Sequence, residues 1–185
     1  MQLSNEGVKP LEPFLRWAGG KRWLINKESQ ITPPKFNTYL EPFLGSAAVF
    51  FSLPYTPFII SDINAELINC YTAIKNDYKK IESLLREHQS KHSPDYYYQI
   101  RKSQPRVEHT KAARFLYLNR TCFNGLYRVN KQGKFNVPIG SRNNAFLDND
   151  NFRAVAERLK QGKMLHQDFE ATISLAGKGG NHPFH

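Results

Sequence analysis

The stretch that decides the fold is YLEPFLGSAAVFFSLPYTPFIISD, residues 39–62. It opens with a short apolar segment, Tyr39-Leu40, and closes with an apolar run at 58–60, and both are predicted to be strands. Between them the pattern predicts a tight turn at Gly45-Ser46, where the backbone can approach a ligand, and a short helix over 47–53. A strand–helix–strand unit of this kind builds a parallel α/β sheet.

Two acids lie at the ends of the predicted strands. Glu41 follows the first strand, and Asp62 follows the second. In nucleotide-binding sheets, a carboxylate at the end of the second strand binds ribose hydroxyls. The unit therefore predicts a nucleotide-like pocket, although its turn holds one glycine instead of the G-x-G-x-x-G of dinucleotide enzymes. The alternative interpretation is that both acids are ordinary loop residues.

Composition limits the class of protein. The chain has 185 residues, is 40% hydrophobic and carries a formal net charge of +10. That length predicts one domain with room for an insertion, and no apolar run is long enough to span a membrane. The positive charge favours a polyanionic partner, first of all nucleic acid, and the alternative is a merely basic surface.

The cysteines and the first residues bear on the compartment. Cys70 and Cys122 form no metal-ligand spacing, which predicts a reducing, cytoplasmic setting and no metal centre. The first apolar residues, Leu11 to Leu15, are broken by Glu12 and Pro13. We therefore expect no N-terminal signal.

A Gly-Gly loop precedes the unit, in the sequence FLRWAGGK at residues 14–21. It is not a phosphate-binding P-loop, because Leu15 stands where that motif needs glycine and Arg22 stands where it needs Ser or Thr. Trp17 and Lys21 can still offer a ring and a charge to a ligand. The alternative is a basic surface loop with Trp17 in the core.

A long amphipathic helix is predicted from Ile63 to His88, because apolar residues recur at three- and four-residue steps. His88 and His92 are interpreted as parts of its solvated face, since no acid or third ligand lies nearby. A further helix is predicted from Lys111 to Arg120. The residues expected to face inward from the long helix are Ile63, Leu67, Tyr71, Ile74, Ile81 and Leu85.

The end of the chain repeats the strand pattern. A short helix is predicted from Asp150 to Lys160, a third strand from Lys163 to His166, and a last helix from Phe169 to Ala176. Asp168 and Phe169 follow the third strand, where an open α/β sheet presents its ligand-binding edge.

The segment TCFNGLYRVNKQGKFNVPIGSRN, residues 121–143, is the most unusual in the chain. It contains two turn signals, and 129–135 is predicted to be a β-hairpin. Arg128, Lys131 and Lys134 lie near its tip, among amide side chains. Such a tip suits a DNA groove, because Arg reads guanine, Asn reads adenine and Lys holds phosphate. The alternative is an ordinary polar hairpin.

Three motifs together resemble the Dam-type, D12 class of DNA adenine-N6 methyltransferases, which use S-adenosylmethionine. They are FLRWAGGK, EPFLGSAAVFF with Asp62, and LNRTCFNGLYRVNKQGKFNVPIG, and the resemblance covers about 13–180. It implies an α/β fold: a Rossmann-like methyltransferase sheet, incomplete here, with a helical and β-hairpin DNA-recognition region inserted after the second strand. The implied division is a cofactor-binding core at 13–62 and 145–180, a recognition insertion at 63–144, and an unpatterned tail at 181–185.

The resemblance also implies functional residues, a cofactor and a partner. S-adenosylmethionine is the implied cofactor and double-stranded DNA the implied partner, in a prokaryotic or phage-encoded protein. Leu126, Arg128 and Pro138 match positions where GATC-reading members contact bases, so GATC is the predicted target. The implied cofactor-binding residues are Trp17, Lys21, Glu41, Phe43, Gly45, Asp62, Asp168 and Phe169. The predicted DNA-binding residues, with Lys134 added from the hairpin tip, are Phe123, Asn124, Leu126, Arg128, Asn130, Lys134, Asn136 and Pro138.

The D-P-P-Y motif with which this family performs its chemistry is absent from the sequence. In that motif a carboxylate and a backbone carbonyl accept hydrogen bonds from the two amino N–H groups of a flipped adenine. The amino nitrogen can then attack the methyl group. A degenerate candidate is formed by Asn181, Pro183 and Phe184. We otherwise expect a truncated chain, whose open sheet edge would accept a completing chain or a second copy.

Three other functions remain open at this point. The chain could be a remnant that binds DNA or cofactor without catalysis. It could be an NAD-dependent oxidoreductase, which the single glycine and the charge disfavour. It could also be an RNA-binding module, which the lack of a K/R-G-F-G-F-type run disfavours.

Overall fold

The computed structural model describes residues 11–25, 36–53 and 57–176. In these ranges the sheet is parallel, with the order β1-β2-β3, which confirms the predicted fold class. Among the described residues β1 pairs with β2 alone, so the completion of that edge by another chain stays a prediction. The strands are β1 Tyr39–Glu41, β2 Phe58–Asp62 and β3 Gly162–His166.

Helices connect the strands. Within the part of the chain that the structure describes, no helix combines the length and apolarity that a membrane crossing requires. The helices are α1 Arg22–Ile25, α2 Ala48–Ser52, α3 Ala65–Lys91, α4 Pro94–Lys102, α5 Glu108–Thr121, α6 Phe152–Leu159 and α7 Phe169–Ile173, with a 3₁₀ turn at Phe123–Gly125.

The β1–α2–β2 unit forms as its sequence predicts. Gly45 turns the chain with a φ of 52°, and Ala47 adopts a second left-handed conformation just before α2. The apolar run of β2 is buried along Phe58 to Ile60, as expected of the central strand of a covered parallel sheet. The acid at the end of β2 is therefore carried to the edge of the sheet.

The long helix begins two residues later than predicted. Asn64 caps α3 by accepting the Leu67 N–H at 3.0 Å, and Asp62 in turn accepts the Asn64 N–H at 2.9 Å. These two bonds fix the chain in a turn before the helix starts. Ile63 lies in that turn and is 70% exposed, so the prediction that it faces the core was wrong. The other five predicted inward residues are buried.

His88 also departs from its prediction. It is buried on α3, where its ring stacks on Tyr117 with centroids 4.9 Å apart. Its Nδ1 lies 2.8 Å from the hydroxyl of Tyr96. Burial lowers the pKa of His88 to about 4, so the ring is neutral near pH 7. The solvated-face interpretation was wrong for His88 because α4 and α5 pack over that side of the helix.

One continuous core joins the helical insertion to the sheet. It includes Phe50 and Phe58 beside the sheet and Tyr97, Leu116 and Phe135 in the insertion. Helix α3 packs against both α5 and α6, and α6 leads directly into β3. The boundaries at 62 and 145 stay a prediction, since the packed interior runs across both of them.

A buried ion pair ties three distant segments together. Arg120, in the last turn of α5, contacts both oxygens of Asp150 at 2.6 Å. The guanidinium also donates to the carbonyls of Phe14 and Ala145, at 3.1 and 2.9 Å. Both side chains are almost fully buried, at 3% and 2% exposure. A bidentate, fully bonded pair of this kind fixes the positions of the segments that it joins.

A variant that lacks one partner of the Arg120–Asp150 pair should therefore unfold at a much lower urea concentration than the unchanged protein. Asp150→Ala leaves the buried Arg120 charge uncompensated, and we expect a loss of about 3–5 kcal/mol in the free energy of unfolding. Urea unfolding followed by circular dichroism measures it. The matched control is Glu157→Ala on α6, whose exposed pair with Lys160 should contribute little. Equal urea midpoints for the two variants would contradict a structural role for the buried pair.

Candidate ligand pocket and nucleic-acid interface

A cavity of about 260 Å³ lies where β1 and β2 end, and we call it the strand-end pocket. Open α/β sheets bind their ligands at the carboxyl ends of the strands. Three parts of the chain line it: Trp17–Lys21 from the Gly-Gly loop, Phe43–Ser46 with Ala48 from the turn into α2, and Asp62 from the end of β2.

Lys21 joins the Gly-Gly loop to the end of β1. Its ammonium lies 2.8 Å from Glu41 Oε1 and also donates to the Phe43 carbonyl. The Glu41 carboxyl is buried, and Tyr39 donates to its second oxygen at 3.0 Å. Desolvation raises the pKa of Glu41, and the neighbouring Lys21 ammonium opposes that rise. Lys21 and Glu41 therefore bond to each other and hold the loop that lines the pocket.

Asp62 holds the glycine turn against the end of β2. Its Oδ2 accepts the Gly45 N–H at 3.0 Å, and Tyr71 donates its hydroxyl to the Gly45 carbonyl at 3.1 Å. A side chain at position 45 would lie 3.0 Å from Trp17, so the tight space and the positive φ both favour glycine. A carboxylate offers about four acceptor sites, and Asp62 therefore keeps capacity for a ligand hydroxyl.

Two exposed aromatic rings lie next to the pocket. Phe43 and Phe169 are 57% and 42% exposed, and their rings stack with centroids 5.3 Å apart. Asp168 does not join this pair, because its carboxylate caps α7 by accepting the Ala171 N–H at 2.8 Å. That cap fixes the start of α7, and with it the ring of Phe169. Exposed flat rings suit contact with a planar heterocycle.

The predicted hairpin is present, although its ladder is short. Val129 pairs antiparallel with Phe135, and the Asn130 N–H donates to the Lys134 carbonyl at 2.9 Å. The side chain of Asn130 accepts two backbone N–H groups of the tip at 3.0 Å each. Gly133 completes the turn with a φ of 72°. The tip is therefore held by its own backbone and amide bonds.

The eight predicted DNA-binding residues lie between 123 and 138, and we call this set the recognition surface. Phe123 and Leu126 are 52% and 38% exposed, so both apolar side chains are accessible to a ligand. The Arg128 Nε donates to Asn136 Oδ1 at 2.8 Å, so the amide orients the guanidinium. The remaining members are Asn124, Asn130, Lys134 and Pro138, which are exposed, and Asn136 itself, which is partly buried.

A larger cleft of about 860 Å³ lies between the hairpin and the helices. Lys102, Lys111 and Lys134 contribute charge from three separate elements. Arg101 and Arg114 also line the cleft, and the guanidinium of each donates a hydrogen bond to a backbone carbonyl. The sequence analysis did not single out Lys111 or Arg114, because no local pattern indicates that α5 meets the hairpin. Spaced basic residues on α4 and α5 were the one available signal.

The structure brings part of the predicted set together and leaves part untested. Six of the predicted cofactor residues lie at or next to the strand-end pocket, and Phe169 reaches it through Phe43. Asn181, Pro183 and Phe184 lie outside the described residues. Among the described residues, no three His, Cys, Asp or Glu side chains are grouped to hold a metal ion.

The sequence matches a known family and several characterised relatives. A type II methyltransferase of Lactococcus lactis, M1.LlaDCHI, is 37% identical over 97% of this chain and 66% of its own length. M.MjaIII of Methanocaldococcus jannaschii is 38% identical over 86% of this chain and 63% of its own. A DNA adenine methylase of Haemophilus influenzae is 34% identical over 96% of this chain and 65% of its own length.

The chain thus spans 63–66% of the length of these relatives. The model of the D12 class N6 adenine-specific DNA methyltransferases matches residues 17–181, which is most of the chain. That match includes the Gly-Gly loop, the strand-end pocket and the recognition surface described above. The chain therefore belongs to the D12 class of N6 adenine-specific DNA methyltransferases.

Proposed function

We propose that this chain binds S-adenosylmethionine in the strand-end pocket and double-stranded DNA on the recognition surface. The activity served by both sites is transfer of a methyl group to N6 of adenine. One observation carries the proposal: Trp17 packs against Gly45 of the acid-and-glycine pocket and stacks on Tyr127, which leads into the exposed basic hairpin. Family membership supports the same assignment.

The groups around the strand-end pocket suit a nucleoside cofactor. We assign the ribose hydroxyls to Asp62, whose carboxylate keeps acceptor capacity beyond its bond to the Gly45 N–H, and Gly45 lets the backbone approach the ligand closely. Phe43 and Phe169 offer apolar faces to an adenine ring. Lys21 and Glu41 act indirectly, because they hold the loop that closes the pocket. Asp168 also acts indirectly, by capping the helix that carries Phe169.

S-adenosylmethionine supplies an electrophilic methyl group when it is bound. The described residues of this chain bind and orient the two substrates, and we assign no described residue to the transfer itself. The sequence holds no D-P-P-Y to accept hydrogen bonds from the amino group of adenine. Truncation and the role of Asn181, Pro183 and Phe184 stay predictions.

The recognition surface suits a DNA duplex with a defined sequence. Arg128 is oriented by Asn136, which favours bidentate contact with guanine, and GATC is the target that we propose. Leu126 and Pro138 are exposed beside it and available for contact with base edges. Phe123, Asn124 and Asn130 complete the surface. The lysines of the basic cleft, Lys102, Lys111 and Lys134, are proposed to hold phosphates.

Replacing Asp62 tests the cofactor site. Asp62→Ala should weaken S-adenosylmethionine binding roughly 10- to 100-fold, which corresponds to one or two hydrogen bonds to a charged group. Isothermal titration calorimetry measures the change. The affinity for a GATC duplex should stay within about twofold, which also shows that the variant is folded. Asp148→Ala, at an exposed acid outside the pocket, is the matched control. Unchanged cofactor affinity in Asp62→Ala would remove the ribose assignment.

Replacing Arg128 tests the base contact. Arg128→Ala should reduce discrimination between a GATC duplex and a scrambled duplex by roughly 1–3 kcal/mol. Fluorescence anisotropy at fixed salt concentration measures both affinities. Lys134→Ala is the comparison, because loss of a phosphate contact should weaken both duplexes about equally. An equal loss on both duplexes for Arg128→Ala would show that Arg128 touches phosphate instead of a base.

A further inference from the structure

Tyr127 lies in residues 121–143, the segment that contains the hairpin and that we call the recognition segment. The sequence analysis did not single out this residue. It lies between Leu126 and Arg128, which are both exposed on the recognition surface. Its own ring turns inward and stacks on Trp17, with centroids 5.3 Å apart and planes 22° apart. A residue flanked by proposed DNA contacts therefore touches a lining residue of the strand-end pocket.

Trp17 also packs against the glycine turn at Gly45. A side chain at position 45 would lie 3.0 Å from Trp17 Cδ1, so the indole packs directly against the backbone of Gly45. Gly45 is the residue whose N–H is held by Asp62. The ring of Tyr127 is thus separated from the pocket backbone by one indole.

The hydroxyl of Tyr127 reaches the pocket by a second route. It donates to Glu66 Oε2 at 2.7 Å, and Glu66 lies in the first turn of α3. The cap of that turn is Asn64, whose N–H is bonded to Asp62. Both routes from Tyr127 therefore end at the groups that Asp62 holds.

The backbone on both sides of the Trp17–Tyr127 stack is held by one side chain, Asn119. Asn119 exchanges two hydrogen bonds with the backbone of Arg16, at 3.0 and 2.8 Å. The same amide approaches the Gly125 carbonyl at 3.4 Å. The two chain segments that carry Trp17 and Tyr127 are therefore anchored to one side chain, and the two rings stack on each other between them.

We infer that Tyr127 is a positioning residue that couples DNA binding to cofactor binding. This inference rests on the proposed function. A duplex that orders Leu126 and Arg128 fixes the ring between them, and this ring in turn places Trp17 against the glycine turn. By thermodynamic linkage the cofactor must favour duplex binding by the same factor.

The test is a pair of titrations. S-adenosylmethionine is titrated into the protein by calorimetry, with and without a saturating GATC duplex. The duplex should tighten cofactor binding about 5- to 20-fold, a range typical of coupled sites. In Tyr127→Leu this factor should fall to about one, while each separate affinity changes less than about threefold. Tyr127→Phe keeps the stack and should keep most of the coupling.

A spectroscopic readout separates positioning from mere folding. The chain has two tryptophans, so Trp23→Phe leaves Trp17 as its only indole. Addition of duplex should shift the Trp17 emission in this background, and the shift should vanish when Tyr127→Leu is added. Tyr78→Leu, a partly buried tyrosine on α3 that packs on the core, is the matched control and should change neither readout.

Each outcome decides between the two proposals. If both ligands bind the unchanged protein and neither alters the affinity of the other, the coupling is overturned and the proposed function stands. If Tyr127→Leu keeps full coupling, Tyr127 is not the positioning residue. If the unchanged folded protein binds neither ligand, the proposed function and the coupling fail together.

Discussion

The last turn of α5 is the constraint on which the rest of the structure depends. Asn119 holds the backbone of Arg16 through two hydrogen bonds, and Arg120 holds the Phe14 carbonyl together with the buried carboxylate of Asp150. These two consecutive side chains bind a segment more than 100 residues earlier in the chain. Buried amide and guanidinium groups need hydrogen-bond partners, and here the backbone of Phe14 and Arg16 supplies them. These bonds fix the position of that segment.

The position of this segment relates the strand-end pocket to the recognition surface. The segment held by α5 runs straight into Trp17 and the Gly-Gly loop, and α5 itself runs straight into the recognition segment at Phe123. From this one anchor, the chain therefore runs forward into the pocket wall after Arg16 and into the predicted DNA-binding hairpin after Arg120. Under the proposed function, a flipped base must reach the bound cofactor, and a shared anchor would hold the two proposed sites at a fixed separation.

Local patterns predicted the strands, the turn at Gly45 and most helices, because these depend on neighbouring residues alone. Ile63 and His88 were mispredicted, since a capping bond and the packing of α4 and α5 override the helical period. Of the three lysines that line the larger cleft, only Lys134 was predicted to bind DNA, because Lys102 and Lys111 lie on helices that are separated from the hairpin in sequence. The Asn119 anchor leaves no local signal either. The roles of Asp62, Arg128 and Lys134 were predicted from the residue pattern, most other site roles came from the family resemblance, and all of them stay proposals.

Hydrogen exchange tests the central claim that one chain carries both sites side by side. S-adenosylmethionine should slow exchange of the amides at 43–46 and 62–64, where the Gly45 N–H is bonded to Asp62. A GATC duplex should slow exchange most strongly across 123–136. Neither ligand should protect the far end of α3, residues 82–91, beyond its own helical bonds. Protection centred on that far end, or none from either ligand on folded protein, would contradict the account.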